Sequence, residues 1–260
     1  MRSSLVIATE QPVRSKQPVV RREELVSVFQ TTRWSRISAA RGDGSQARKA
    51  LEELCRTYWQ PLYLFIRRTG RGHEDARDLT QDFFTRLLEG ELWRRADRSR
   101  GRFRSFLLAC LKNFLANEWE HAGAQKRGAR TIHLNIDALH NENTDAVLRD
   151  QRATPDETFD REWALTLMRS ALERLEHEYR ETGKGEHFEI LKPTLTLDGA
   201  LCPYSTLARQ LGLSEDAVKV AVHRLRRRYQ KAIRYQIADT VRTPEEAKAE
   251  LQDLIAILNS

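Results

Sequence analysis

Apolar residues recur three and four positions apart along almost the whole chain, the spacing of one face of an α-helix. No Val/Ile/Thr-rich run alternates apolar and polar residues between turn signals, as a half-buried strand would. The pattern predicts an all-α fold. A helix over about residues 45–68 carries Leu51, Leu54, Tyr58, Leu62, Phe65 and Ile66 on one face, and Arg71-Gly72 breaks it. A second begins near His73-Glu74-Asp75, whose acids suit the positive end of a helix dipole. It buries Ala76, Leu79, Phe83, Phe84, Leu87 and Leu88 and stops at Gly90. A third, over about 102–121, turns Phe103, Phe106, Leu107, Cys110, Leu111, Phe114 and Leu115 inward. Stripes this wide pack on one another, so residues 25–128 are expected to form one helical bundle behind a loose basic leader, 1–24.

The apolar density then falls. Asn141-Glu142-Asn143 and Thr154-Pro155-Asp156 mark residues 129–158 as a polar linker. A second helical domain, 159–236, opens with a helix through Trp163, Leu167, Ala171, Leu172 and Leu175. A looser stretch over 183–201 follows, and then two helices at about 203–211 and 215–236. The remainder, 237–260, holds an amphipathic helix whose Leu251, Leu254, Ile255 and Leu258 are expected to cover a hydrophobic face of the second domain. The predicted architecture is therefore two helical domains joined by a polar, acidic linker.

The pair of helices around Gly212 carries the most specific local signal. Pro203 suits a first helical turn, where its missing N–H costs nothing. Ala208 is small where two crossing helices must approach closely. Gly212 stands where the turn wants a left-handed backbone, and Ser214 can cap the next helix, with Glu215 and Asp216 in its first turn. Val218, Val222 and Leu225 form a buried edge at i, i+4 and i+7, and Lys219, His223, Arg224, Arg227 and Lys231 stand on the other edge. A helix pair of this kind, with one basic face on its second member, is the helix-turn-helix arrangement that reads the DNA major groove. An ordinary helical hairpin with a charged outer face is the plainer reading of the same residues.

Charge adds weight to nucleic acid through its distribution. Residues 94–130 hold ten basic and three acidic side chains, 215–235 seven and two, while 135–162 between them hold three and eight. Two basic blocks separated by an acidic one suggest two surfaces for a polyanion. Cys55, Cys110 and Cys202 are far apart, odd in number and without C-x-x-C spacing, so neither a disulfide framework nor a zinc site is expected. No stretch approaches the ~18 apolar residues of a membrane span, and Leu5-Val6-Ile7-Ala8 is too short for a signal-peptide core. A cytoplasmic protein without metal, cofactor or membrane partner is the expectation.

Three segments resemble the extracytoplasmic-function (ECF) family of bacterial RNA polymerase sigma factors. The stretch from Leu211 through Gly212, Ser214 and Val218 to Arg226 looks like that family's region 4. Tyr58-Trp-Gln-Pro-Leu-Tyr and Glu74-Asp-Ala-Arg-Asp-Leu-Thr-Gln-Asp-Phe-Phe resemble its region 2 polymerase-binding helix. Phe103-Arg-Ser-Phe-Leu-Leu-Ala-Cys-Leu-Lys-Asn113 resembles the segment preceding its −10-reading surface. The resemblance implies a promoter-specificity factor with no catalysis of its own. It implies that Asp78, Gln81 and Asp82 dock on the β′ clamp helices of core polymerase and that region 4 meets the β flap and the −35 element. It also makes an anti-sigma factor a candidate partner. The first basic block would meet the −10 element, with Arg100, Arg102, Arg104, Lys112, Lys126 and Arg127 on phosphates and Asn113 and Asn117 on an exposed base. Trp119 and Phe103 are candidate stacking planes, with burial against the bundle the competing expectation. The −35 element would fall to Lys219, His223, Arg224, Arg227 and Lys231.

Two other readings compete. A simple helix-turn-helix regulator explains residues 200–236 without polymerase. A nucleic-acid enzyme would use Asp75, Asp78 and Asp82 as metal ligands, but no second acidic cluster or His pair in the sequence joins them.

Overall fold

The computed structural model describes residues 45–88, 102–122, 152–195, 203–238, 240–241 and 243–259. The leader 1–24, the linker up to residue 151, and Arg100, Lys126 and Arg127 lie outside the described residues. Among those described there are eight α-helices and no strand. They are α1 (Ser45–Arg68), α2 (His73–Leu88), α3 (Phe103–Ala122), α4 (Pro155–Glu181), α5 (Gly185–Leu191), α6 (Tyr204–Leu211), α7 (Glu215–Ala238) and α8 (Pro244–Asn259). A short 3-10 turn, Lys192–Leu195, continues α5.

Helix α1 is not amphipathic where it matters. Every residue from Thr57 to Ile66 is buried, including Trp59, Tyr63 and Leu64, which lie off the expected face. A helix that is buried all round is a central one, and aromatic contacts show what surrounds it. Trp59 stacks on Phe84 of α2 with ring centroids 5.8 Å apart. Tyr58 meets Phe103 of α3 edge-on at 5.3 Å. Phe83 of α2 and Phe114 of α3 lie 5.7 Å apart. Phe159, Trp163, Ala164 and Leu167 of α4 complete this first core together with Ile237 of α7 and Leu254 of α8.

The second core is smaller: Leu175 and Tyr179 of α4, Phe188 and Leu191 of α5, Leu207 and Ala208 of α6, and Val218, Val222 and Leu225 of α7. Helices α4 and α7 therefore each serve both cores. They run antiparallel, as two ties show: Arg228 to Glu178 at 2.8 Å and the Gln236 amide donating to Ser170 Oγ at 2.9 Å; the Tyr229 hydroxyl also joins them, donating to the Met168 carbonyl at 3.1 Å. Burial of that hydroxyl pushes the Tyr229 pKa up to about 12.

Four expectations change. The buried residues divide within α4, not at residue 159, because the first half of α4 fills the first core. The start of α4 lies at Pro155: Thr154 Oγ1 accepts from the Glu157 N–H at 3.2 Å and Glu157 Oε2 accepts from the Thr154 N–H at 2.8 Å. That reciprocal pair is a capping box, with proline at the position that tolerates it. Finally, the tail packs elsewhere. Leu254 is buried in the first core, and Leu251 and Leu258 lie partly buried against it, so α8 packs on the first core, beside residues of α4 and α7, and not on the second core. The stretch expected to be loose also gains structure, since Phe188 and Leu191, one turn apart on α5, both enter the second core.

Candidate nucleic-acid interface

The turn between α6 and α7 is built by local chemistry. Gly212 sits at φ 64° and ψ 30°, the left-handed region, and its N–H donates to the Ala208 carbonyl. The Leu213 N–H donates to the same carbonyl at 3.0 Å. Glycine adopts this backbone without the side-chain clash other residues meet. Ser214 Oγ then accepts from the Ala217 N–H at 3.2 Å and caps α7. Pro203 is the cap of α6, one position before its first turn, with its carbonyl accepting from the Thr206 N–H at 3.0 Å. Leu207 and Ala208 meet Val218, Val222 and Leu225 in the second core, which fixes the face that α7 turns inward.

The opposite face of α7 is open. Lys219, His223, Arg224, Arg227 and Lys231 are all exposed. The Lys219 ammonium donates to Asp216 Oδ1 at 3.0 Å, and that bond, with the Asp216 charge, raises its pKa. Among the described residues, Arg224, Arg227 and Lys231 have no hydrogen-bond or ion-pair partner. Two neighbouring arginines are structural instead. Arg226 donates twice to the Thr194 carbonyl, at 3.2 and 3.0 Å. Arg228 pairs with Glu178 and lies over the Tyr179 ring at 4.7 Å. The helix thus spends its inner arginines on the scaffold and keeps its outer cations in water. Val220, which charge patterning passes over, also stands on the outer side at 48% exposure.

The first basic block is arranged differently. Arg104 is 6% exposed, and its guanidinium lies 4.4 Å from the Trp163 ring centroid. Its Nε donates to Glu250 Oε1 at 3.1 Å, and it also pairs with Asp160 and with Asp253. Burial disfavours its charge, but Glu250 and Asp160 outweigh that and raise its pKa. Arg102 pairs with Glu250 Oε2 at 2.8 Å and with Asp253. Arg104 is therefore not a phosphate ligand in this structure, and Arg102 is already engaged: acids of α4 and α8 occupy the places where phosphates were expected. Lys112 is exposed, 2.5 Å from Asp156. Asn113 and Asn117 stand one turn apart on the exposed side of α3. Trp119 is 53% exposed, with the Arg71 guanidinium 5.7 Å from its ring centroid, whereas Phe103 is fully buried and offers no stacking plane.

On α2, Asp78 is exposed and Asp82 half-buried. Burial raises the Asp82 pKa, against the pull of Arg86. Gln81 is turned inward at 8% exposure, so it does not share the outward face of Asp78.

Among the described residues, no group of three His, Cys, Asp or Glu is placed to hold a metal ion, and no helix is long and apolar enough to cross a membrane. No family model, curated protein or solved structure matches the chain.

Proposed function

We propose that the chain is a sigma factor of the ECF type, binding core RNA polymerase and directing it to promoters. The carrying observation is the α6–Gly212–α7 unit, a capped helix-turn-helix whose second helix holds Arg224, Arg227 and Lys231 outward, without ion-pair or hydrogen-bond partners among the described residues. Such a face suits the major groove and its flanking phosphates. The motif order of the sequence supplies the rest of the reading: Asp78 and Asp82 dock on polymerase, and Asn113, Asn117, Lys112 and Trp119 form the −10 face. Purified protein mixed with core polymerase should produce promoter-dependent transcripts from genomic fragments. Asp78→Lys with Asp82→Lys should abolish core binding while leaving helical content intact. Undiminished core binding by that double variant would remove the docking face.

A second reading, a helix-turn-helix regulator that does not recruit polymerase, is favoured by one observation: the uptake of Arg102 and Arg104 inside the chain. Tight, sequence-specific DNA binding at physiological salt without core polymerase would support it over the first.

A further inference from the structure

The outer face of α7 contains one residue that neither the scaffold nor electrostatics accounts for. A helix turns about 100° per residue, so Val220, two residues after the buried Val218, points almost directly away from the second core. It is exposed, with Asp216 and Ala217 one turn before it and His223 and Arg224 one turn after. A β-branched side chain is a weaker helix former than the polar or alanine residues usual on a solvated face. Among the described residues it belongs to neither core. In the N-terminal half of a recognition helix this is the place that meets base edges, and the 5-methyl group of thymine is the apolar group those edges present in the major groove.

We infer that Val220 is a specificity-determining residue that packs on the 5-methyl of a thymine in the bound DNA. The inference rests on the reading of α7 as a major-groove helix. Arg224 stands four residues further on, about 6 Å along the helix axis. Base pairs stack about 3.4 Å apart. The thymine therefore lies one or two base pairs from the base that Arg224 reads.

The test uses the full chain with core polymerase. Selection from a randomised −35 library first defines the preferred duplex. Each thymine in it is then replaced by uracil, which removes the methyl and nothing else. For the unaltered protein, one replacement should weaken binding about fourfold, the worth of one buried methyl. Val220→Ser should bind the thymine and uracil duplexes equally, and its affinity for the uracil duplex should match that of the unaltered protein. Because Val220 is exposed, the variant should keep its helical content and melting midpoint. A preferred duplex lacking thymine beside the Arg224-dependent position would overturn the inference, as would a thymine preference that survives in Val220→Ser. Absence of any sequence preference would instead defeat the reading of α7 as a base-reading helix.

Discussion

Arg104 and Arg224 look alike in the sequence, each an arginine in a basic stretch next to one hydrophobic residue, Phe103 or Leu225. In the structure, one is clasped by Glu250, Asp160 and Asp253 over an indole ring, and the other stands in water. Local sequence does not separate them. Their difference lies in where complementary acids arrive, and those of Arg104 come from α4 and α8, fifty-six residues away at the nearest. A basic run is a DNA surface only where the rest of the chain leaves it one.

The largest expected effect tests the buried member. Arg104→Ala takes from Glu250, which is 1% exposed, one of its two arginines, and takes from Asp160 its arginine; breaking a buried pair from one side costs up to about 3–5 kcal/mol. Urea denaturation should show it as a large fall in midpoint. Arg224→Ala, on an exposed face, should change stability by less than about 0.5 kcal/mol. A double replacement, Arg104→Met with Glu250→Leu, should recover part of the loss, since the most deeply buried acid leaves together with its arginine. Equal midpoints for Arg104→Ala and Arg224→Ala would erase the comparison.

Next in size is the effect on DNA. Arg224→Ala should relax preference at one or two −35 positions, a discrimination of about 1–3 kcal/mol, read from transcription of a −35 library. A uniform loss across all sequences would reassign Arg224 to the phosphates. Lys231→Ala should weaken every promoter alike and lower the slope of log affinity against log salt by about one phosphate's share. Titration at a series of salt concentrations measures it, and a change in base preference would contradict it.

The smallest effect compares two buried acids. Glu250 has two arginines, whereas among the described residues Glu162 on α4 makes one long ion pair, with Arg169 at 3.9 Å. Burial raises the Glu162 pKa from its ordinary 4.5, with Arg169 and Arg161 opposing. A raised carboxyl pKa means that the folded chain holds the proton more tightly, so the ionised form costs stability at neutral pH. That cost fades as pH falls through the raised value and is gone below 4.5. Glu162→Gln should therefore raise the melting midpoint at pH 7 and confer no advantage below the ordinary carboxylate range. Glu250→Gln should be destabilising at pH 7.

Helix bounds were legible wherever the signal is local. Gly212 and Ser214 mark the turn because their chemistry acts within three residues, and Val218, Val222 and Leu225 declare their face by spacing. Thr154-Pro155-Asp156 was ambiguous for a physical reason. The residues that favour a turn are also those that cap a helix, and only the Glu157 side chain folding back distinguishes the two. The all-round burial of α1 escapes a single-face reading because Trp59 and Tyr63 are amphipathic residues that fit either environment. The destination of α8 was the least legible. Its leucines announce that a face is buried but not against what, and its partners range from Ile237 close by to Arg104, 146 residues before Glu250.

The seat of Leu254 in the first core has a consequence for synthesis of the chain. Tyr58, Leu62 and Ile66 leave the ribosome about 200 residues before the last side chain that covers their bundle. At translation speeds of about 5–20 residues per second, that interval is about 10–40 s. Until α8 is made, the surface that receives Leu254 stays uncovered and Arg104 lacks Glu250 and Asp253. The nascent protein therefore passes through a stage in which an apolar surface and a cation face solvent together, a natural point for a chaperone or for any passing polyanion to engage.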